Sequence, residues 1–224
     1  MKALVLSLIT PLLLVGAIAQ AQTCSFMLVS SSTNASGNTR MDSIAYSFNG
    51  PDVAIRIHGG PRQPDVRLIF DPAAGTITQL HEINGRKGGF VFPMSEKRWP
   101  GMPHSTATTA RPEPPSGQRT RTIDGHDCLE VKVNGTEYTG IAWVAEDIPL
   151  SMERVFSYQS VGGGKQTKEA DQFAEFGLTG LPLEMQLTSA KNGSDIRLKV
   201  AHYTGTVDAS LFDTSGHTTS LVEE

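Results

Sequence analysis

The sequence predicts a mainly β protein: a curved antiparallel sheet or half-barrel of about nine to eleven strands, with one or two short helices. Three observations carry that prediction. Four Asn-Gly pairs, at 49–50, 84–85, 134–135 and 192–193, each lie between short runs of β-branched and aromatic residues. Asn-Gly is the preferred centre of a two-residue type I′ hairpin, because both positions accept positive φ. Registers counted outward from these turns separate apolar from polar side chains. No internal repeat period is present, which disfavours a propeller or solenoid.

The chain begins with Met1-Lys2, a short apolar run broken by Pro11, and Ala19-Gln20-Ala21. A basic start, an apolar stretch and small residues at alternate positions read as a secretory signal cleaved before Gln22. Residues 1–21 are therefore expected to be removed, leaving 22–224 as a single β-rich domain. Thr23 and the residues before it are not the lipobox of a bacterial lipoprotein, so Cys24 is not expected to be lipidated. The whole chain carries 19 basic and 23 acidic side chains, a formal net charge of −4. With no long basic run, neither nucleic acid nor an anionic membrane surface is an expected partner.

The four hairpins follow in order. Around Asn49-Gly50 a two-residue loop pairs Tyr46 with Val53 and Ile44 with Ile55. Around Asn84-Gly85 it sets Glu82 against Lys87 and Ile77 against Phe92. Around Asn134-Gly135 it sets Lys132 against Glu137, Val131 against Tyr138 and Cys128 against Ile141. The Asn192-Gly193 loop pairs Leu187 with Leu198, Met185 with Val200 and Leu183 with His202, giving one dry face and one wetter face. Val66–Phe70 and Thr76–Leu80 add strands joined through Asp71-Pro72-Ala73-Ala74-Gly75.

Two regions depart from the strand pattern. Residues 98–122 contain five prolines and many Ser, Thr and Arg residues, and read as a long loop. Residues 166–176 read as a short helix: Thr167 is the N-cap, Glu169 and Asp171 suit its amino end, and Ala170, Phe173 and Ala174 form an apolar stripe. Cys24 and Cys128 are the two cysteines. An oxidising destination makes one disulfide between them the leading expectation, with two buried thiols as the alternative.

In this order, IDGHDCLEVKV (123–133), AWVAEDIPL (142–150), GLPLEM (180–185) and VDASLFDTSGH (207–217) resemble a family of uncharacterised exported bacterial proteins, known only as a domain of unknown function. His126 and His217 stand where that family has tyrosine, and Thr214-Ser215 where it has a proline. The resemblance implies a fold similar to the periplasmic lipoprotein carriers, with helical and loop material across the concave face, and a periplasmic or secreted location. It transfers no catalytic residues, because the family has no agreed ones.

Chemistry-bearing motifs are sparse. The six histidines have no close metal-ligand spacing, and neither HExxH nor Gly-x-Ser-x-Gly occurs. No catalytic residue, metal or cofactor is assigned, and the chain is read as a non-enzyme. The expected function is a periplasmic binding or carrier protein for a hydrophobic ligand such as a lipid or a lipidated partner, with transient contact at the cell envelope. Binding would come from apolar burial and delivery from opening of 98–122 or 166–176. A structural or protein-interaction module of the envelope is the alternative, and a hydrolase assembled only by folding is third. The candidate pocket residues are Phe70, Phe90, Phe92, Trp99, Tyr138, Trp143, Phe156 and His202, with core packing as the competing role of each aromatic.

Overall fold

The computed structural model describes residues 22–60, 63–107, 119–162, 167–176, 178 and 180–223. The expected export segment, the body of the Pro-rich stretch and most of the Gly162–Gly164 run lie outside the described residues. Twelve strands form one sheet: β1 Thr23–Thr33, β2 Thr39–Asn49, β3 Asp52–Ile57, β4 Val66–Asp71, β5 Thr76–Ile83, β6 Arg86–Pro93, β7 Thr120–Ile123, β8 His126–Asn134, β9 Tyr138–Ala145, β10 Leu181–Ser189, β11 Asp195–Thr204 and β12 Thr218–Leu221. Their spatial order is β12-β6-β5-β4-β3-β2-β1-β11-β10-β9-β8-β7. The sheet is open, with β12 and β7 at its edges. All pairings are antiparallel except β12 with β6, which is parallel. Two helices, α1 Met152–Ser157 and α2 Lys168–Phe176, lie against the concave face.

This is the curved, mostly antiparallel architecture expected, with more strands than foreseen. The strands without a predicted segment are β1 and the four-residue edge strands β7 and β12. β7 begins inside the stretch read as loop, because Thr120, Thr122 and Ile123 suit a strand despite the prolines before them. The same stretch also holds a 3-10 turn at Met102–Thr106.

Each sheet face kept the predicted composition, while three of four registers moved by an even number of residues. Phe48 pairs with Val53 and Tyr46 with Ile55, so Gly50-Pro51 is the turn, not Asn49-Gly50. Gly50 at φ 65 followed by a residue locked near −65° has the form of a type II′ turn. Around Asn84-Gly85 both residues have positive φ, and Glu82–Lys87 and Ile77–Phe92 pair as predicted. At Asn134-Gly135 the loop is longer: Lys132 pairs with Ile141 and Cys128 with Ala145. A Cβ on Gly135 would lie 2.5 Å from the Phe176 ring, so contact with α2, not turn preference, selects that glycine. At the last hairpin Met185 pairs with Leu198 and Leu187 with Ile196. There Asn192 Oδ1 accepts from the Ser194 amide and hydroxyl, building a four-residue loop closed by Ser189 N–H to Ser194 carbonyl.

His202 is the fourth correction. It sits at φ 57 in a bulge of β11 opposite Phe26, and it is exposed. The extra residue reverses the alternation, so Tyr203 turns inward and stacks on Phe26 at 6.4 Å while His202 leaves the dry face.

The core lies between the concave face and the helices. Phe48, Phe70, Trp99 and Tyr158 form a packed aromatic group, with Phe70 4.8 Å from both Trp99 and Tyr158. Trp99 Nε1 donates to the Ser157 carbonyl, and Tyr46 donates to the Val155 carbonyl, so a loop tryptophan and a strand tyrosine hold α1 by its backbone. Ser151 caps α1 by accepting from the Arg154 amide.

The convex face is crossed by residues 205–217, which run as a strap from the end of β11 to β12. Its Asp208 amide donates to Ser47 Oγ, and its buried Leu211 belongs to a 3-10 turn packed on β2 and β3. Arg67 Nη1 donates to the Ser210 carbonyl at 2.6 Å. The strap places buried Ser47 and Ala54 under cover on the outer side of the sheet.

Candidate functional site

The strands and α2 enclose an apolar pocket of about 170 Å³ on the concave face. Its floor is made by residues that alternate inward along the sheet: Leu28 and Ser30 of β1, Ile44 of β2, Tyr138 of β9, Leu187 of β10, and Ile196 and Leu198 of β11. Its roof is aromatic. Phe156 of α1 stacks on Phe173 of α2 at 4.6 Å, and Phe173 meets Phe176 edge-on at 5.4 Å. Gln159 and Gln172 supply the polar groups at its wall. Gln159 Nε2 donates to the Tyr46 hydroxyl at 2.7 Å, and burial pushes the Tyr46 phenol well above its ordinary pKa.

Polar ties hold α2 over this pocket. Thr136 donates through its amide and hydroxyl to the Glu175 carboxylate, and Gln172 donates to Glu137 at 2.6 Å. On the other side, His104 is bracketed by two carboxylates: Nδ1 lies 2.8 Å from Glu153 of α1 and Nε2 lies 3.2 Å from Asp171 of α2. One imidazole thus links the Met102–Thr106 turn to both helices. Asp171 also anchors the start of α2, accepting from the Thr167 hydroxyl while its amide donates to the Thr167 carbonyl.

Of the eight residues proposed from sequence, Tyr138 and Phe156 line this pocket. Phe70 and Trp99 are buried in the aromatic core beside it. Phe92 lies under Arg98, and Phe90, 41% exposed, stands near His81 on β5–β6, away from the pocket. Trp143 faces the outer side, because it pairs with Glu130 and Glu184; Arg121 stacks over its ring at 4.4 Å and pairs with Glu184. His202 is exposed. The roof residue Phe173 was visible in the predicted helix stripe, whereas α1 escaped notice. Its signal was Ser151 before Met152-Glu153, a cap with an acidic first turn.

Cys24 and Cys128 are free buried thiols, which corrects the disulfide expectation. Cys24 pairs with Phe48 and Cys128 with Ala145, and strands β11, β10 and β9 separate β1 from β8. Burial, the first cause at each, pushes both thiols up to about 11. Such thiols are poor nucleophiles at neutral pH. Near them His126 Nδ1 lies 2.7 Å from Asp147, and the His126 ring meets Tyr203 edge-on at 5.2 Å. Among the described residues no group of three or more His, Cys, Asp and Glu side chains is arranged to hold a metal.

The geometry defines a class: an open, curved antiparallel sheet that wraps a helical cover and encloses a small apolar pocket. No family model matches the chain, and no curated protein matches it. Among solved structures it is similar to PNGF-II, with a TM-score of 0.40 and 12% identity over 89% of this chain and 32% of that one. The chain thus spans about a third of the length of that protein. It is also similar to a LolA superfamily protein from Nitrosomonas europaea (TM-score 0.32, 7% identity, 83% and 86% of the two chains) and to a Pseudomonas aeruginosa MucA/MucB complex (0.33, 13%, 88% and 58%). The resemblance to lipoprotein-sorting proteins is distant, and no activity is transferred from it.

Proposed function

We propose that this protein is a non-enzymatic binding protein, acting after export in the periplasm, that shelters an apolar group of a lipid or lipidated partner between its concave sheet and α2. The observation that supports this reading is the pocket itself. Its walls are mainly apolar, yet it is not filled by the chain's own side chains. Burying a ligand's apolar surface there supplies the driving force, at about 25 cal/mol per Å², and no covalent step is involved. Its volume of about 170 Å³ lies below the ~300–1,000 Å³ usual for whole small-molecule ligands. The occupant that fits is therefore one aliphatic chain or one apolar side chain, with the remainder of the ligand outside.

That size also favours a second reading, a protein-interaction module whose pocket takes an apolar side chain of a partner. The two are separated by native mass spectrometry of protein prepared gently from its own host, followed by organic extraction. Co-purified lipid supports the first reading. Its absence, together with no displacement of a fluorescent fatty-acid probe, overturns it. Ser30→Phe directs a ring into the pocket from the sheet side; it is expected to abolish probe binding while leaving the circular dichroism spectrum unchanged. Equal binding by this variant would place the ligand elsewhere.

A further inference from the structure

The convex face holds a second hollow, of about 390 Å³, between the strap and strands β3–β6. We infer that it binds an oxyanion, a phosphoryl or carboxylate group, through Arg56 and Arg67. The site is independent of the concave pocket.

The two arginines are directly paired across β3 and β4. They stand in a row that continues through Ala45 on one side and Leu80 and Gly89 on the other, so neighbouring side chains in the row offer them no charge. Like charges directly opposite one another in a sheet are destabilising. Both arginines are half-buried; burial and then the Arg56 charge lower the pKa of Arg67, and the Asp213 charge opposes that shift. Among the described residues no carboxylate lies within ion-pair distance of either guanidinium. Arg67 spends one Nη on the Ser210 carbonyl, which explains its place in the fold. Among the described residues no such bond explains Arg56.

Two of the acids around the hollow accept hydrogen bonds from other groups. Asp65 accepts from the Gly59 amide and contacts His58 Nδ1. Asp213 accepts from the amide and hydroxyl of Ser215, and its charge also acts on Arg67 and Lys87 without an ion-pair contact. Glu82 stands directly across from Lys87. Two adjacent guanidinium forks, facing a space also lined by Ser210, Ser215 and His217, therefore remain. Such forks match the planar and tetrahedral oxygens of carboxylate and phosphate. A bound anion would relieve the repulsion that the empty sheet carries.

The test uses the mature chain and its Arg56→Gln and Arg67→Gln variants. Calorimetric titration is run with inorganic phosphate and glycerol phosphate, and flotation with phosphatidylglycerol or phosphatidylcholine vesicles, all at fixed ionic strength. Saturable binding that Arg56→Gln weakens about tenfold or more supports the site. Binding of the free phosphates identifies a soluble ligand, whereas binding of phosphatidylglycerol vesicles alone identifies a lipid headgroup. No binding of any probe, or equal binding by wild type and Arg56→Gln, overturns the inference. Thermal unfolding in low-salt buffer without polyvalent anions gives an independent check. Arg56→Gln should melt at or above wild type, because it removes the like-charge pair, and a clearly lower melting temperature would make Arg56 a structural residue and end the proposal. Failure here leaves the concave pocket untouched, since none of its lining residues is changed.

Discussion

The two faces of one sheet are covered in different ways. The concave face is covered by aromatic side chains and two helices, with polar ties that are buried at Trp99 and Ser157 and exposed along α2. The convex face is crossed by one strap, fixed through Asp208, Ser210 and Leu211, with charged rows left open on either side. Cohesion is concentrated on one side and charge chemistry on the other. Substitutions should therefore cost much more inside the curve than outside it.

The sharpest way to break that contrast is Phe70→Ala. Phe70 is 1% exposed and touches both Trp99 and Tyr158. A loss of about 3–5 kcal/mol is expected in urea unfolding, and a loss below ~1 kcal/mol would mean the aromatic group is not the core. Alkali probes the same dry side. The Cys24 thiol is pushed from 9.0 up to about 11 by burial, so the native state holds its proton more tightly than the unfolded chain does. Its contribution is complete below pH 9 and disappears as pH rises through 11, a change on the order of 2–3 kcal/mol. Cys24→Ala should flatten that part of the stability profile, and an unaltered profile would contradict it.

The strap supplies the matching outer-face measurement. Leu211→Ala removes its buried plug and should cost about 2 kcal/mol, at the low end for such truncations. A cost equal to that of Phe70→Ala would erase the distinction between the faces. His104→Ala cuts both carboxylate links to the helices. Global stability should fall by about 1 kcal/mol or less, while amide exchange in 168–176 quickens. Unchanged exchange there would show that the Glu175 and Gln172 ties suffice. Smallest of all, Phe90→Ser on the exposed part of β6 should stay within about 0.5 kcal/mol.

What could be read from the residues was the parity of most strands, whereas register was legible only at Asn84-Gly85. Tyr46, Leu187 and Leu198 point inward as the alternation predicts, because a side chain's face depends only on odd or even position. The partner depends on the turn. A slip of two keeps every face, so alternation could not tell Phe48–Val53 from Tyr46–Val53. Pro51 carried the missing information, since it cannot donate to a ladder and it favours the glycine before it as the first turn residue. His202 illustrates the other limit. A bulge reverses alternation partway along β11, and nothing in its composition announces one. The pocket was half legible: Tyr138 and Phe156 reach it, whereas Trp143 went outward with its polar row. The roof depended on α1 and α2 meeting through Phe156 and Phe173, a long-range contact that no local pattern encodes.

The parallel pairing of β12 with β6 has a consequence for biogenesis. Thr218–Leu221 reach the far edge only after the strap has crossed the sheet. Until then β6 presents unpaired amides and carbonyls, with Phe90 beside them, as a template for a neighbouring chain. A newly made molecule therefore remains vulnerable to association until its last strand docks, and truncation before residue 218 should make the chain aggregate.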